Sequence, residues 1–289
     1  MRAIFQWNLG TRVLELGRHT LIMGVVNVTP DSFSDGGLYI DAEKAVVHAE
    51  KLLDEGATII DVGGESTRPG SDPVSEEEER KRVLPVIRDL KRRHPNAVIS
   101  VDTYKASVAR AAVDLGAEVV NDVSGFRWDP KMSKTLAELK VGAVLMHTRG
   151  RPEEWRTLPP IGDPVLIAKR DLRQWAETAT LAGVKRDHLV LDPGFGFGKR
   201  FEENYPLLAH FEKLQQMGFP LQAGVSRKSF IGRILARDGK DADVAERLYG
   251  TLAAETGLIL KGAHIIRTHD VHSAVEAAKV ADAMVASGG

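Results

Sequence analysis

The stretch LDEGATIIDVGG, residues 53–64, contains the pattern that decides the fold. A charged segment of helical character ends at Gly56, a short apolar run rich in β-branched residues follows, and Asp61 closes that run. Glycine is the residue expected just after a helix, and short β-branched runs are typical of strands buried on both faces. The pattern therefore predicts a helix followed by a buried strand of a parallel sheet.

The same pattern recurs along the chain. Apolar runs that close on a polar residue also lie in residues 21–31, 95–103, 113–125, 139–147, 181–192, 216–228 and 260–270, which gives eight β units. Eight strands alternating with helices over about 250 residues predict an α/β chain folded as a (β/α)8 TIM barrel. A doubly wound sheet of eight strands would produce similar periodicity and stays open as an alternative.

The first residues interrupt this pattern. AIFQW and RVLEL, joined by NLGT, predict a short β-hairpin within residues 1–17. We expect this hairpin to lie beneath a barrel formed by residues 18–285, so that residues 1–289 make a single domain.

Composition excludes several classes of function. The formal net charge of −1 gives no electrostatic case for binding nucleic acid or an acidic membrane surface. The absence of cysteine excludes disulfides, thiolate metal sites and a cysteine nucleophile. No apolar run approaches the roughly 20 residues that a membrane span needs, so a soluble cytoplasmic protein is expected.

Polar residues close the predicted strands. A single one, such as Asp102, could simply cap the next helix, but caps do not explain cations and amides at so many strand ends. Because the carboxyl ends of barrel strands meet at one face, where the irregular segments 28–40, 64–75 and 148–165 also lie, these residues predict a ligand-binding mouth. The set comprises Asn27, Asp102, Asn121, Asp192, Lys228, Arg267 and His269.

The residue types in this set indicate the kind of ligand. The carboxylates of Asp102 and Asp192, with the amide of Asn121, suit the nitrogen-bearing edge of a flat heterocycle. Lys228, Arg267 and His269, with Arg68 from the second long loop, suit phosphate or carboxylate oxygens. Asn27 offers an oxygen ligand to Mg²⁺, which commonly keeps few protein ligands beside substrate phosphates. The site therefore predicts a nitrogen heterocycle that carries phosphates.

The glycine-rich segment LVLDPGFGFGKR, residues 189–200, matches neither common phosphate-binding motif. It lacks the spacing of a P-loop, Arg200 stands where the hydroxyl residue would be, and its glycines do not follow the dinucleotide fingerprint. We interpret it as a strand that ends at Asp192 and continues into a permissive turn. Lys199 and Arg200 are expected to be a solvated flank of that turn.

Eight motifs, in this order, resemble the dihydropteroate synthases of folate biosynthesis over roughly residues 20–285. They are NVTPDSFSDGG, DVGGESTRPG, SVDTYK, NDVSG, LMH, DPGFGFGK, SRKSFIG and GAHIIRTHDV. The resemblance implies a (β/α)8 barrel that forms a homodimer through its late helices and is a target of sulfonamides. It also implies condensation of 6-hydroxymethyl-7,8-dihydropterin pyrophosphate with p-aminobenzoate, with Mg²⁺ present and SN1-like loss of pyrophosphate.

The resemblance also implies a role for individual residues. Asp102, Asp35, Lys228 and Arg68 are implied to be catalytic, with Asp35 assisting the stabilisation of a cation. The pterin pyrophosphate site is implied to comprise Thr67, Asp102, Asn121, Met146, Asp192, Lys228, Arg267 and His269, with Asn27 as the metal ligand. The p-aminobenzoate pocket is implied to comprise Arg68, Pro69, Phe197 and Ser229.

Other readings of the sequence remain. A pterin-binding methyltransferase would keep the Asp and Asn set but would not need the anion sites in TRPG, SRKS and RTHD. A non-catalytic pterin-binding paralogue would be expected to lose loop residues such as Asp35, Arg68 or Lys228, and a generic phosphate-metabolite barrel lacks an obvious Schiff-base lysine. TRGRPEEW and the proline-rich LPPIGDPV depart from the family pattern and leave the role of the outer loop, 148–165, open.

Overall fold

The computed structural model describes residues 2–29, 37–66 and 73–288, and within these the side chains of residues 37–41 are not described. The strands are β1 Phe5–Asn8, β2 Val13–Leu16, β3 Leu21–Asn27, β4 Ile59–Gly63, β5 Val98–Asp102, β6 Val119–Asp122, β7 Gly142–Met146, β8 Leu189–Asp192, β9 Gln222–Ala223 and β10 Ile265–Thr268. The α-helices are α1 Gly37–Asp54, α2 Glu76–Arg93, α3 Ala106–Asp114, α4 Met132–Leu139, α5 Pro164–Leu181, α6 Asn204–Ala209, α7 Ser229–Ile234, α8 Leu248–Leu260 and α9 Val271–Ser287.

Eight parallel strands form one sheet in the order β9-β10-β3-β4-β5-β6-β7-β8. The two outer strands meet through a parallel bridge between Leu191 and Leu221, and the Leu191 amide donates to the Pro220 carbonyl at 3.0 Å. This contact brings the ends of the sheet together into a barrel. The predicted TIM barrel is thereby confirmed, and the doubly wound alternative is excluded.

The helices begin where the sequence provides a cap. Ser75 accepts a hydrogen bond from the Glu78 amide at the start of α2, whose first turn is acidic and whose last turn is basic. Asp163 accepts from the amides of Val165 and Leu166 at the start of α5, where Pro164 takes the first position. These signals satisfy amides that have no partner inside the helix and complement the helix dipole.

The hairpin β1–β2 closes the amino-terminal end of the barrel. Trp7, Leu9 and Leu16 are fully buried in a cluster with one apolar residue from each of seven barrel strands, namely Met23, Ile59, Val98, Val119, Val144, Val190 and Ile265. The Trp7 indole N–H also donates to the His188 carbonyl at 2.8 Å. The hairpin predicted beneath the barrel is therefore present, and it seals the apolar bottom of the interior.

The interior changes from apolar to polar two residues further along most strands. Side chains alternate between the two faces of a strand, so residues two positions beyond the bottom cluster also point inward. These second-layer residues include Asp61, Ser100, Asn121, Asp192 and Arg267. The barrel thus has a dry floor and a polar upper chamber at its carboxyl end. Among the described residues, no helix is long and apolar enough to cross a membrane.

Candidate active site

A network of charge lies at the centre of the upper chamber. Arg267 donates from Nε to Asp61 Oδ2 and from Nη2 to Asp102 Oδ2, each at 2.7 Å. Asn121 Nδ2 donates to the same Asp61 oxygen at 2.9 Å. Asp61 and Asn121 are buried, whereas the side chains of Arg267 and Asp102 keep about a fifth of their surface exposed, at 22% and 19%. The network therefore presents Arg267 and Asp102 to the mouth, and Asp61 supports them from below.

Burial sets the protonation preferences of this network. It raises the pKa of Asp102 because it disfavours the carboxylate, and Arg267 opposes that shift while Asp61 adds to it. Burial also disfavours the Arg267 cation, but the charges of Asp61 and Asp102 outweigh it and raise the guanidinium pKa. Arg267 is thus permanently charged. The carboxylates of Asp61 and Asp102 repel each other, and a positively charged ligand would reduce the free-energy cost of that repulsion.

Asp102 does not cap the following helix. Helix α3 begins at Ala106, whose amide donates to Asp129 Oδ2 at 2.8 Å. The capping explanation considered for this strand end is therefore wrong for Asp102, and its carboxylate serves the network in the mouth.

Asp192 is another buried carboxylate. It lies on β8, four strands away from the β4 strand that carries Asp61. Its oxygens accept from the Gly194 amide at 2.7 Å and from Gln222 Nε2 at 3.1 Å. Burial raises its pKa, although the Gly194 amide and the Lys228 cation oppose the shift. Met146, buried at the end of β7, lies opposite Asp192 in the strand register and adds an apolar surface.

Lys228 lies beside the glycine-rich turn that follows β8. Its ammonium donates to the Phe195 carbonyl and lies 4.6 Å from the centre of the Phe197 ring. Burial lowers the Lys228 pKa to about 7, with Asp192 and Asp102 acting against that shift. Ser229, the first residue of α7, is exposed next to it. These contacts place a titratable cation against one face of an aromatic side chain.

Lys199 does not lie in a solvated flank. Only 7% of its surface is exposed, and Nζ donates to the carbonyls of Gly194 at 2.7 Å, Phe197 at 3.3 Å and His147 at 3.5 Å. Arg200 is exposed, as expected. The prediction for Lys199 is wrong because the turn folds back on the β7 loop, and the lysine then points inward at carbonyl oxygens rather than outward to water.

His269 and Asn27 lie at the ends of two neighbouring strands. The His269 amide donates to Ser226 Oγ at 3.2 Å, and its ring Nδ1 lies 3.0 Å from the same oxygen. Asn27 is paired in register with Gly63, which is paired in turn with Asp102. Asn27 therefore belongs to the same rim of strand ends as the charge network.

The outer loop packs against the aromatic side of the mouth. Trp155 makes an edge contact with Phe197, their ring centres being 5.4 Å apart. Arg149 donates to the carbonyls of Gly198 and Pro159, at 3.2 and 2.9 Å. The segment whose role the sequence left open is thus tied to the glycine-rich turn.

The described residues bring together ten of the residues predicted for the site at the carboxyl end of the barrel. These are Asn27, Asp102, Asn121, Met146, Asp192, Phe197, Lys228, Ser229, Arg267 and His269. Four other predicted residues, Asp35, Thr67, Arg68 and Pro69, lie outside the described residues.

Sequence reasoning missed three residues that shape the mouth. Asp61 closes the apolar run in the sequence but is absent from the predicted set, and the strand itself continues to Gly63, so only the inward parity that Asp61 shares with Ile59 could have indicated it. Gln222 holds Asp192 from a strand of two residues, and Lys199 was assigned to solvent. All three act through other polar groups of the mouth.

Comparisons with known proteins all point to one family. A family model described as pterin binding enzyme matches residues 23–269. The dihydropteroate synthase of Bacillus subtilis is 45% identical over 270 residues, which cover 93% of this chain and 90% of that protein.

Solved structures agree with this assignment. The Xanthomonas albilineans dihydropteroate synthase with 4-aminobenzoic acid has a TM-score of 0.89 and 41% identity, over 98% of each chain. A complex described for the same enzyme with 7,8-dihydropteroate has a TM-score of 0.82 and 40% identity, covering 93% of this chain and 95% of that one. The Yersinia pestis enzyme with a sulfonamide drug has a TM-score of 0.87 and 39% identity, covering 94% and 97%.

Sequence, fold and the polar chamber at the carboxyl end of the barrel all point to the same enzymes. The matches extend over nearly the whole chain, so they include the strands that carry the charge network as well as the hairpin end of the fold. This chain belongs to the dihydropteroate synthase family of pterin-binding transferases.

Proposed function

We propose that the mouth of this barrel condenses 6-hydroxymethyl-7,8-dihydropterin pyrophosphate with p-aminobenzoate to give 7,8-dihydropteroate and pyrophosphate. The observation that carries the proposal is the network in which Arg267 joins Asp61 and Asp102 within hydrogen-bond distance of Asn121. It combines carboxylates for a nitrogen heterocycle with a cation for its phosphates, as a pterin pyrophosphate requires.

The pterin ring is proposed to bind over the buried carboxylates. Asp192 and Asn121 offer acceptors and a donor to the edge of the heterocycle, and the pKa of Asp192 is raised by burial. A ligand that brings N–H donors or positive charge to this carboxylate stabilises its ionised form. Met146, which is buried beside Asp192 in the strand register, is proposed to pack against the ring.

The leaving pyrophosphate is proposed to lie on the cationic side of the rim. Arg267 uses Nε and Nη2 for its carboxylates, whereas Nη1 donates to none of the described residues and is free for a phosphate oxygen. His269 lies on the loop that follows the same strand. Preorganised cations at the position where negative charge develops are commonly the largest single contribution to catalysis.

Magnesium is proposed as the cofactor. The described residues contain no cluster of three histidine, cysteine or carboxylate ligands, so they do not form a metal site made of protein ligands alone. A single amide oxygen from Asn27 fits Mg²⁺, because this ion usually keeps water and substrate phosphates as its other ligands. When bound, it would neutralise charge on the leaving phosphates.

The second substrate is proposed to bind between Phe197, Lys228 and Ser229, with Arg68 and Pro69 from the second loop. Phe197 offers an aromatic wall, and Lys228 supplies a cation against it. Loss of pyrophosphate leaves positive charge on the pterin methylene, which Asp102 would stabilise, with Asp35 assisting from the first loop. The arylamine nitrogen then attacks this carbon and loses a proton, so no protein nucleophile is needed.

The test is an assay that omits one substrate at a time. Purified protein with Mg²⁺, pterin pyrophosphate and p-aminobenzoate should release pyrophosphate and dihydropteroate in equal amounts. Dihydropteroate should be lost when p-aminobenzoate is omitted, and a sulfonamide should compete with p-aminobenzoate. Pterin binding without any dihydropteroate would contradict the proposal and would favour a non-catalytic pterin-binding protein.

We also propose that two chains associate through the last three helices. Large apolar side chains are exposed there, among them Ile234 at 67%, Tyr249 at 82% and Val280 at 64%. Helices α8 and α9 pack together, so Tyr249 and Val280 lie on neighbouring elements. A second copy of this chain would cover these side chains, as the resemblance implies.

A cytoplasmic location is proposed as well, consistent with the absence of cysteine.

A further inference from the structure

The glycine-rich turn after β8 lies directly against the loop after β7. At Gly194, with φ of +64°, an added Cβ would come within 1.9 Å of the His147 carbonyl oxygen. At Gly198, also with φ of +64°, it would come within 2.4 Å of the Arg149 carbonyl oxygen. The two loops therefore meet backbone to backbone, and carbonyl oxygens crowd the seam between them.

Lys199 lies in this seam. An ammonium group has three N–H donors, and the Lys199 ammonium has three carbonyl acceptors, His147 and Gly194 and Phe197, which belong to both loops. Among the described residues it pairs with no carboxylate. Burial and the neighbouring Lys228 lower its pKa to about 7. Lys199 therefore fastens the two loops to each other, through the carbonyls of Gly194 and Phe197 on one side and of His147 on the other.

The turn that Lys199 fastens carries the aromatic wall of the proposed second-substrate pocket. Phe197 lies between the Lys228 ammonium, 4.6 Å from its ring centre, and Trp155, whose ring centre is 5.4 Å away. Its own carbonyl is one of the three that Lys199 binds. The Phe197 amide donates to the Gly194 carbonyl, which is another. The position of the Phe197 ring therefore depends on the backbone that Lys199 holds.

We propose that Lys199 is a positioning residue for the arylamine substrate, because it binds the carbonyls of both loops and so fixes Phe197 at the mouth. It touches neither substrate and acts through the turn alone. This inference rests on the proposed function for the identity of the substrate, but the fastening itself does not depend on that identity.

The first experiment measures the turn without substrates. Hydrogen exchange of the amides of Gly194, Gly196 and Phe197 is compared between the wild type and Lys199→Met. Each of these amides is hydrogen-bonded. The Gly194 amide donates to Asp192 Oδ1, the Gly196 amide to Asn204 Oδ1 and the Phe197 amide to the Gly194 carbonyl. We expect exchange about 10-fold faster in the variant, because three buried carbonyls lose their donor. Unchanged exchange would overturn the fastening role.

The second experiment separates the two substrates kinetically. Lys199→Met should raise KM for p-aminobenzoate about 10-fold, with KM for pterin pyrophosphate within about 2-fold of the wild type. Lys199→Arg keeps donors in the seam, so its KM for p-aminobenzoate should lie between those of the wild type and Lys199→Met. Lys185→Met, which removes an exposed lysine with no side-chain partner in the described structure, should change neither constant.

The outcomes distinguish this inference from the proposed function. Equal increases in both KM values, or a loss of kcat alone, would show that Lys199 is merely structural. A wild-type protein without synthase activity would overturn the proposed function, and hydrogen exchange would still decide the fastening. If Lys199→Met does not fold, the same two measurements on Lys199→Arg and Lys199→Gln replace it, with Gln expected to show the larger effects.

Discussion

Burial, at the scale of single residues, controls the charge of the mouth. Lys228 has its pKa lowered to about 7, whereas burial raises the pKa of Asp192. The pKa values of the two groups are thus closer together than usual, and a bound ligand can determine which of the two carries a proton. A lysine poised near neutral pH is a cation below that pH and a neutral amine above it.

The pH dependence of kcat/KM tests this at Lys228. This quantity reports groups of the free enzyme, so kcat/KM for pterin pyrophosphate should fall as pH rises through about 7, where Lys228 loses its proton. Arginine stays charged throughout that range, so Lys228→Arg should move the fall upward by at least about one pH unit, whatever its maximum rate. An alkaline limb that stays in place in Lys228→Arg would show that another group titrates there, and Lys185→Met provides the control.

The sequence predicted residues at strand ends better than residues inside runs. Asp102 and Asp192 were predicted because each closes a strand, and the structure places both in the mouth. Asp61 was left out of the predicted set although it closes its run in the sequence, because only strand parity shows that its side chain points into the barrel. Lys199 was misjudged because its environment depends on two loops meeting, a long-range contact that local composition does not encode.

At the scale of elements, the turn after β8 depends on glycines that no other residue can replace. Gly194 combines a left-handed backbone with the closest approach to the β7 loop, where its missing Cβ makes room for the His147 carbonyl. The strand–turn–helix unit that carries Asp192 and Phe197 could not keep this path with a side chain there.

Urea unfolding of Gly194→Ala tests this dependence. The variant should lose about 2–4 kcal/mol of unfolding free energy, from backbone strain and displacement of the facing loop. Gly162→Ala is the matched control, since an added Cβ there meets no atom within 4 Å and φ is not left-handed, so its change should stay within about 0.5 kcal/mol. Equal stabilities of the two variants would contradict the close approach.

The barrel elements themselves were predictable from local signals. Short buried runs recur eight times, a glycine precedes six of them, and the structure turns each run into a barrel strand. The shortest strand is β9, with two residues, because the chain turns soon after it, where the Lys228 amide donates to the Val225 carbonyl at 3.2 Å and Arg227 has a left-handed backbone. Its shortness reflects tertiary demands of the site that periodicity does not show.

At the scale of the whole molecule, the fold separates stability from chemistry. The hairpin and the apolar layer seal one end, and the polar chamber opens at the other, where loops can change without disturbing the floor. The exposed apolar side chains of the last helices lie on the outer wall.

Light scattering with size exclusion tests the proposed dimer. The wild type should elute with twice the mass of one chain, and Tyr249→Asp should shift it to one chain, because a charge replaces an apolar side chain that a partner would bury. Leu181→Asp changes an equally exposed apolar residue at the end of α5 and should leave the mass unchanged. A monomeric wild type, or a dimer that persists in Tyr249→Asp, would contradict the assignment of this interface.

In the proposed mechanism the carboxylates of the mouth stabilise the positive charge that forms as pyrophosphate leaves, rather than merely binding the substrate. Asp102→Asn keeps an oxygen for Arg267 but removes the negative charge. The decisive measurement compares turnover with the dissociation constant for pterin pyrophosphate in this variant, with the exposed Asp114→Asn as control. Turnover should fall about 100-fold or more, while the dissociation constant should stay within about 3-fold of the wild-type value. Equal losses in both would contradict it.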